Sequence, residues 1–373
     1  MTNGPASPGN SPAEAAATPL PQLLEGPAFK IDPADRSVDA AYKILRRQFA
    51  LFRLPQTGAR PGMDPEHLHD MRVAVNRMRV ALRLFREVLP PRRAASFRRD
   101  LRWIAATLGR VRDLDVHLLW LHEAIQRLPS ASHQDLSIYE TAVRHEHDRA
   151  RKAMLKALGS RRYRRFIGRM DRFLTKGPAR RPARPVARQP IREVAPRLIL
   201  HRLGRVLRLG RTLHSGSSDE DLHRLRIQCK RLRYVSEFFV DLLGKPAGKL
   251  ARRARRLQDA LGLHQDAVAR QRVLDRVASS LRMRRAADRR VYIGIGLLMA
   301  IWAERASEAR AEFQAHWGKF SRKRAVEKLR SRLFALPDAG DAGDSRLRKA
   351  RSHVESSCAL PPDHHNDPRT ARR

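Results

Sequence analysis

The sequence predicts an all-α fold built from a duplicated helical half, each half a four-helix bundle, and three observations lead there. The first is composition: over 373 residues, 42% hydrophobic content with only 6% aromatics suits Leu- and Ala-rich helices packed into one large core or two smaller ones. The second is period, because apolar residues recur three and four apart along most of the chain, the spacing of an amphipathic helix. The third is repetition. The pattern His-x-x-Arg-[Val/Ile]-x-x-[Asn/Lys]-Arg-[Met/Leu]-Arg starts at His69 and again at His223. A Leu-Gly pair at Leu108-Gly109 returns at Leu261-Gly262 in the same register to within one residue, the mark of an internal duplication.

Taken in order, residues 1 to about 35 are rich in Pro, Ala, Gly and Ser, a composition that cannot offset ordering entropy by burial, and are expected to be a disordered leader. The helical domain spans 36–335. Its first repeat, 36–176, opens with Ala41, Ile44, Leu45, Phe49 and Phe52 on one helix face, broken by Pro55 and the Gly58 to Pro61 segment. Asp64-Pro65-Glu66 reads as an N-cap followed by proline in the first turn, launching a basic helix that Pro90-Pro91 stops. Further helices are expected from Ala94 to Gly109, from Arg112 to Pro129, from Ser132 to Leu158 and from Ser160 to Leu174. Residues 177–196 carry five prolines among arginines and read as a linker, not a helix.

The second repeat, 197–335, begins with a helix from Leu198 to Leu213. Ser217-Ser218-Asp219 caps the second basic helix, Leu243-Gly244-Lys245-Pro246 ends it, and Leu257 to Leu261 leads into Gly262. The apolar run Val291 to Ala303 is too short to cross a bilayer and is fenced by Arg289, Arg290 and Arg305; a buried helix is expected. Residues 336–373 read as a disordered basic tail.

Charge narrows the partners. Lys and Arg number 77 against 38 acidic residues, a formal charge of +39 and a pI near 11.6, which points to a polyanion. The two cysteines support no disulfide framework, and Cys229 falls on an apolar helix side as a small core residue. No signal peptide is read, so a cytoplasmic setting without membrane contact is expected.

The repeated blocks carry the functional expectation. At about 100° per residue, His69, Arg72, Asn76, Arg79 and Arg83 share one stripe, and His223, Arg226, Lys230, Arg233 and Glu237 share another. Met71, Val75, Met78, Leu82 and Phe85 border the first on one side, and Val73, Val80 and Leu84 on the other. Leu225, Cys229, Leu232 and Phe239, with Ile227, Tyr234 and Phe238 opposite, border the second. A surface helix leaves its charged face open to water, so cations between two apolar rows should face an inner groove. Buried unpaired charge is costly, and such a groove calls for an anion, carboxylates or water.

These residues resemble the conserved histidine α-helical domain, or CHAD, family. The resemblance rests on Leu68-His69-Asp70-Met71-Arg72-Val73, Arg77-Met78-Arg79, Leu108-Gly109 and Arg112-Asp113-Leu114-Asp115-Val116. In the second half it rests on Leu222-His223-Arg224-Leu225-Arg226-Ile227, Lys230-Arg231-Leu232-Arg233-Tyr234 and Leu261-Gly262, and it covers roughly residues 35 to 335. It implies two pseudo-symmetric helical halves around a basic central cavity that binds inorganic polyphosphate, often in association with polyphosphate granules. By that resemblance His69, Arg72, Arg79, His223, Arg226, Lys230 and Arg233 line the cavity and Arg77 and Arg231 adjoin it, while Arg83 joins the candidates through its place on the first stripe. Asn76 departs from the family's usual Arg or Lys, which could make the site asymmetric. Gln265-Asp266-Ala267-Val268 keeps one of the two aspartates of the first half, which leaves a shared role for them open.

Arg forks grip phosphate oxygens in pairs while Lys acts as a point charge, and multiple contacts make affinity fall with salt. Phosphate would favour charged His69 and His223, strengthening binding at mildly acidic pH. A nucleic-acid partner such as RNA is the alternative, although aromatics are too sparse in the basic rows to stack bases. A phosphohydrolase is a weaker alternative. No Walker loop, Glu-x-Glu-x-Lys motif or metal-binding carboxylate set is present, so no catalytic residue, metal or cofactor is expected. Arg112-Asp113-Leu114-Asp115 reads as a helix-to-helix ion pair. His145-Glu146-His147-Asp148 places its histidines on different helix faces, unlike a zinc site. His364-His365 reads as exposed tail, and Arg161-Arg162-Tyr163-Arg164-Arg165 as solvated surface that adds to the attractive field.

Overall fold

The computed structural model describes residues 26, 28–54, 65–126, 130–214, 216–280 and 289–334. The expected cap at Asp64, the break at Gly58 to Pro61, most of the leader and the basic tail with His364-His365 lie outside the described residues. The fold is all-α. Its first half comprises α1 (Ser37–Arg53), α2 (Pro65–Leu84), α3 (Pro91–Gln126), α4 (Ser130–Leu158) and α5 (Arg161–Lys176). After the short α6 (Pro185–Arg188), the second half repeats the order with α7 (Ile191–Arg211), α8 (Asp219–Phe238), α9 (Val240–Ser280), α10 (Arg289–Ser321) and α11 (Lys323–Phe334). In each half the first four helices pack in sequence, first on second, second on third and third on fourth, and a shorter fifth closes the bundle against the first and third. The two bundles meet where α2 packs on α8 and α1 on α7, and again where α4 packs on α9 and α10.

Helix starts and stops follow local chemistry. The Ser218 side chain accepts a hydrogen bond from the Asp221 amide, and Asp219, Glu220 and Asp221 fill the first turn of α8, where carboxylates complement the helix dipole. Ser160 caps α5 in the same way through the Tyr163 amide. Gly244, at φ 59°, breaks α9 after its first turn, a left-handed backbone that glycine adopts without steric cost. The expected stop at Leu243-Gly244-Lys245-Pro246 is therefore a kink, and α8 has already ended at Phe238.

Several expectations are corrected. Gly109 and Gly262 end no helix; α3 runs through the first as a helix of 36 residues, and the long segment of α9 beyond the Gly244 kink runs through the second. A glycine weakens a helix by only about 1 kcal/mol relative to alanine, which the packing of so long a helix overrides. The linker is shorter than 177–196: α6 forms inside it, and α7 starts at Ile191 and carries Pro196 within it. Ile191, Ala195 and Pro196 are buried, so this segment belongs to the core. The end of the leader is also ordered, with Ile31 6% exposed and Asp35 paired with Lys43 at 2.8 Å. The run at Val291 to Ala303 is only half buried: Ile295, Leu298 and Trp302 pack inward, while Tyr292, Ile293 and Leu297 are exposed.

Linker and leader are stitched together. The Ser37 amide donates to the Gln189 carbonyl and the Ile191 amide to the Asp35 carbonyl, both at 2.8 Å, which ties the first turn of α1 to that of α7. Cys229 is fully buried and its thiol is pushed up to about 12 by desolvation, as fits a core residue. Among the described residues no helix is long and apolar enough to cross a membrane.

Candidate functional site

The two basic helices α2 and α8 face each other across the junction of the halves. One apolar border of each helix is sunk in the core: Met71, Val75, Met78 and Leu82 of α2 and Leu225, Cys229 and Leu232 of α8 are fully buried. On the opposite borders Val73, Val80, Ile227 and Phe238 are only partly buried. Phe85 and Phe239 meet edge-on at 6.4 Å as an apolar floor between the halves. With those buried rows sunk into the core, the polar stripes beside them are forced together.

The electrostatics record that meeting. Burial, and then the charges of Arg226, Arg72, Arg233 and Arg79, push the Lys230 ammonium down to about 7; two of those arginines belong to α2. Burial first, and then Arg112, lower the pKa of His69, with Lys230 among the further charges acting on it. Arg79 is lowered by burial and by Arg102 and Arg83, while burial and the neighbouring Arg83, Arg202, Arg205 and Arg79 bring Arg231 down to about 10. Arg72, Arg79, Arg83, Arg226, Lys230 and Arg231 thus act on one another, with the imidazole of His69 among them, along one basic seam.

Two aspartates punctuate it. Arg72 Nη1 lies 3.1 Å from Asp113 Oδ1 of α3. In the second half Asp266 of α9 lies in the field of Arg226, and Asp113 and Arg72 also act on it; burial raises its pKa. The first half therefore pairs the arginine of its repeated block with the aspartate that both halves retain, whereas in the second half the matching arginine acts on its aspartate only through its field. Asp115, which has no counterpart in the second half, acts away from the seam, and its carboxylate lies 2.7 Å from His147 Nε2. The Leu-Gly repeat also touches the seam. A Cβ on Gly262 would sit 3.6 Å from Arg226 Nε, an ordinary van der Waals contact, so α9 passes beside the guanidinium at this point.

Three candidates are placed differently. Arg77 Nη2 lies 2.7 Å from Glu237 Oε2, and Arg233 Nε 3.0 Å from Glu237 Oε1, all three side chains being largely buried. Arg77 belongs to α2 and Glu237 to α8, so the carboxylate clamps the halves together. Arg77, Arg233 and Lys230 also ring the Tyr234 face, at 5.3, 5.0 and 5.8 Å from its centroid, a cation–π arrangement. Arg77 and Arg233 are thereby committed to the protein itself. His223 is exposed, and its ring Nδ1 hydrogen-bonds Gln265 Oε1 on α9; it stands at one end of its stripe.

Other groups escaped the sequence reading. Arg102 and Arg112 on α3 and Arg202 and Arg205 on α7 reach the same seam. The signal for the α7 pair was present, since Arg202, Arg205 and Arg208 are spaced three apart on the helix matching α1, but it has no counterpart in the first half. The buried Nε atoms of Arg226 and Arg202 have no hydrogen-bond partner among the described residues, although buried donors are almost always satisfied. Asn76, at the position matching Lys230, accepts a hydrogen bond from Arg79 Nη1 at 3.1 Å.

The remaining motifs are structural. Glu146 pairs with Arg276 of α9 at 3.0 Å, so His145-Glu146-His147-Asp148 supplies two separate helix-to-helix contacts. No group of three or more His, Cys, Asp or Glu that could hold a metal occurs among the described residues. Chemically, the seam can bind anions: it offers guanidinium forks and one partly discharged ammonium, with few carboxylates in competition.

A family model described as the CHAD domain matches residues 43–275. The fold resembles the crystal structure of the CHAD domain from the plant Ricinus communis, with a TM-score of 0.62 and 26% identity over 83% of this chain and 96% of that one. It also resembles PptA from Streptomyces chartreusis, with a TM-score of 0.61 and 21% identity over 76% of this chain and all of that one. None of the curated proteins matches the chain.

Proposed function

The chain belongs to the CHAD domain family, and on that premise we propose that the seam between α2 and α8 binds inorganic polyphosphate, with binding rather than catalysis as its activity. The observation that carries the reading is the unbalanced charge of the seam. Five arginines and Lys230 from two helices crowd together beside His69, burial and neighbouring arginines push the Lys230 ammonium down to about 7, and the Arg226 guanidinium keeps a buried nitrogen unbonded. A string of phosphate oxygens relieves each of these at once: it accepts from the free nitrogens, restores the ammonium and screens the arginines from one another. Arg72 and Arg226, one per half, are the forks that would grip the chain, and Asp113 holds Arg72 until it arrives.

Polyphosphate granules in the cytoplasm are the setting this ligand implies. The test is a titration of the full chain with polyphosphate of defined length at two salt concentrations. Arg72→Ala with Arg226→Ala should weaken binding by about 100-fold or more, since charged hydrogen bonds contribute about 1.5–3 kcal/mol each. Replacing the exposed pair Arg324 and Arg330 of α11 should change it less than threefold. Equal losses in the two variants would mean diffuse attraction rather than a site. Preference for single-stranded RNA over polyphosphate at equal phosphate concentration would transfer the seam to a nucleic-acid ligand.

A further inference from the structure

A cleft of about 690 Å³ opens away from the seam, lined by Arg162, Arg164, Arg165, Arg169 and Arg172 of α5 with Asp100 of α3 as its one carboxylate. The helix is two-faced. Tyr163, Phe166, Met170 and Leu174 are buried in the first bundle, so the spacing of 162, 165, 169 and 172 turns four arginines outward along roughly 15 Å of axis.

Part of the arginine row is fixed in advance. Arg169 donates to Asp100 and, at 3.0 Å, to Ser96, and its buried Nε has no partner among the described residues. Arg162 lies 3.5 Å from the same aspartate and 4.3 Å over the Trp103 ring. Arg165 and Arg172 make no ion pair among the described residues. Two guanidinium groups held in place beside two left free suit an extended anion with an oxygen cluster every few ångströms. A nucleic acid fits less well, because the aromatic face at the cleft is already covered by Arg162 and leaves no platform for a base.

The cleft is separate from the seam. Asp100 and Trp103 face α5, whereas Arg102, between them in sequence, acts on Arg79 of α2, so α3 stands between the two sites. We propose that the α5 cleft is a second, independent site for linear inorganic polyphosphate. It shares its ligand class with the reading of the seam but stands on its own residues.

Calorimetric titration of the full chain with inorganic tripolyphosphate tests it. The unaltered protein should take up two equivalents. Arg165→Ala with Arg172→Ala should take up one, or bind the second at least tenfold more weakly, with its thermal midpoint unchanged because both side chains are exposed. Arg72→Ala with Arg226→Ala should lose the other equivalent and keep this one, while Arg324→Ala with Arg330→Ala should keep both. A single equivalent in the unaltered protein that the α5 substitutions leave intact would overturn the proposal. A single equivalent lost only with the α5 substitutions would support it and retire the seam instead.

Discussion

Where α8 carries the ammonium of Lys230, α2 carries the amide of Asn76; where α8 ends its stripe with Glu237, α2 has Arg83; and beside His69 stands Arg112, beside His223 the neutral Gln265. The two halves share a scaffold, down to an aspartate of the third helix in the field of the block's arginine, Asp113 beside Arg72 and Asp266 near Arg226, yet they differ at two positions of the basic row and at one on the helix behind it. The difference is physical rather than decorative. Two copies of the α8 stripe would set ammonium against ammonium across the pseudo-dyad, and two copies of the α2 stripe would leave the buried arginines without a carboxylate. Trading one lysine for an amide and one arginine for a carboxylate lets the halves close on each other before a ligand arrives.

The comparison breaks most severely at Glu237. Glu237→Gln keeps the shape but leaves Arg77 and Arg233 buried without a counter-charge, a loss of about 3–5 kcal/mol. Denaturant unfolding should show it, and an unchanged midpoint would mean that the halves are held by packing alone. Lys230→Met comes next and works in the opposite sense. With its folded-state pKa far below that of a free lysine, protonated Lys230 destabilises the ligand-free protein, so removing it should raise stability by on the order of 1–2 kcal/mol. The same substitution should weaken polyphosphate binding about tenfold.

The pH dependence follows from that shift. Bound phosphate raises the lysine's pKa, so the complex holds more protons than the free protein at pH values above about 7. Affinity should be level with respect to this group below that pH and fall as pH rises beyond it. In the methionine variant that slope should vanish. Burial lowers His69, so any gain from its protonation belongs to still more acidic solution.

Asn76→Lys sharpens the comparison by making the halves alike. It should cost about 1 kcal/mol of ligand-free stability while steepening the salt dependence of binding by roughly one unit. A variant as stable as the parent, with no change in slope, would show that the amide at this position is incidental.

What could be read without coordinates was whatever the chain writes twice. The His-x-x-Arg blocks announce their helices, their apolar borders and their meeting because helical period and repetition reinforce each other. Arg202 and Arg205 reach the same seam from a helix whose partner has no such arginines, and only packing reveals them. Gly109 and Gly262 read as stops because glycine weakens a helix locally, whereas the packing of α3 and α9 along their length carries the helix through both. The clamping role of Glu237 was hidden for a similar cause: the stripe reported its direction, not the two guanidinium groups that converge on it from different elements.

The hydrogen bonds that join the first turns of α1 and α7 bear on how this protein is made. Ser37 finds its acceptor in Gln189, 152 residues further along, and the Ile191 amide waits for Asp35. On the ribosome the leading bundle must therefore stand with its opening turn unsealed until the second has begun to emerge. A nascent chain halted before Gln189 should be open to proteases at its front edge, and release of only a few more residues should close it.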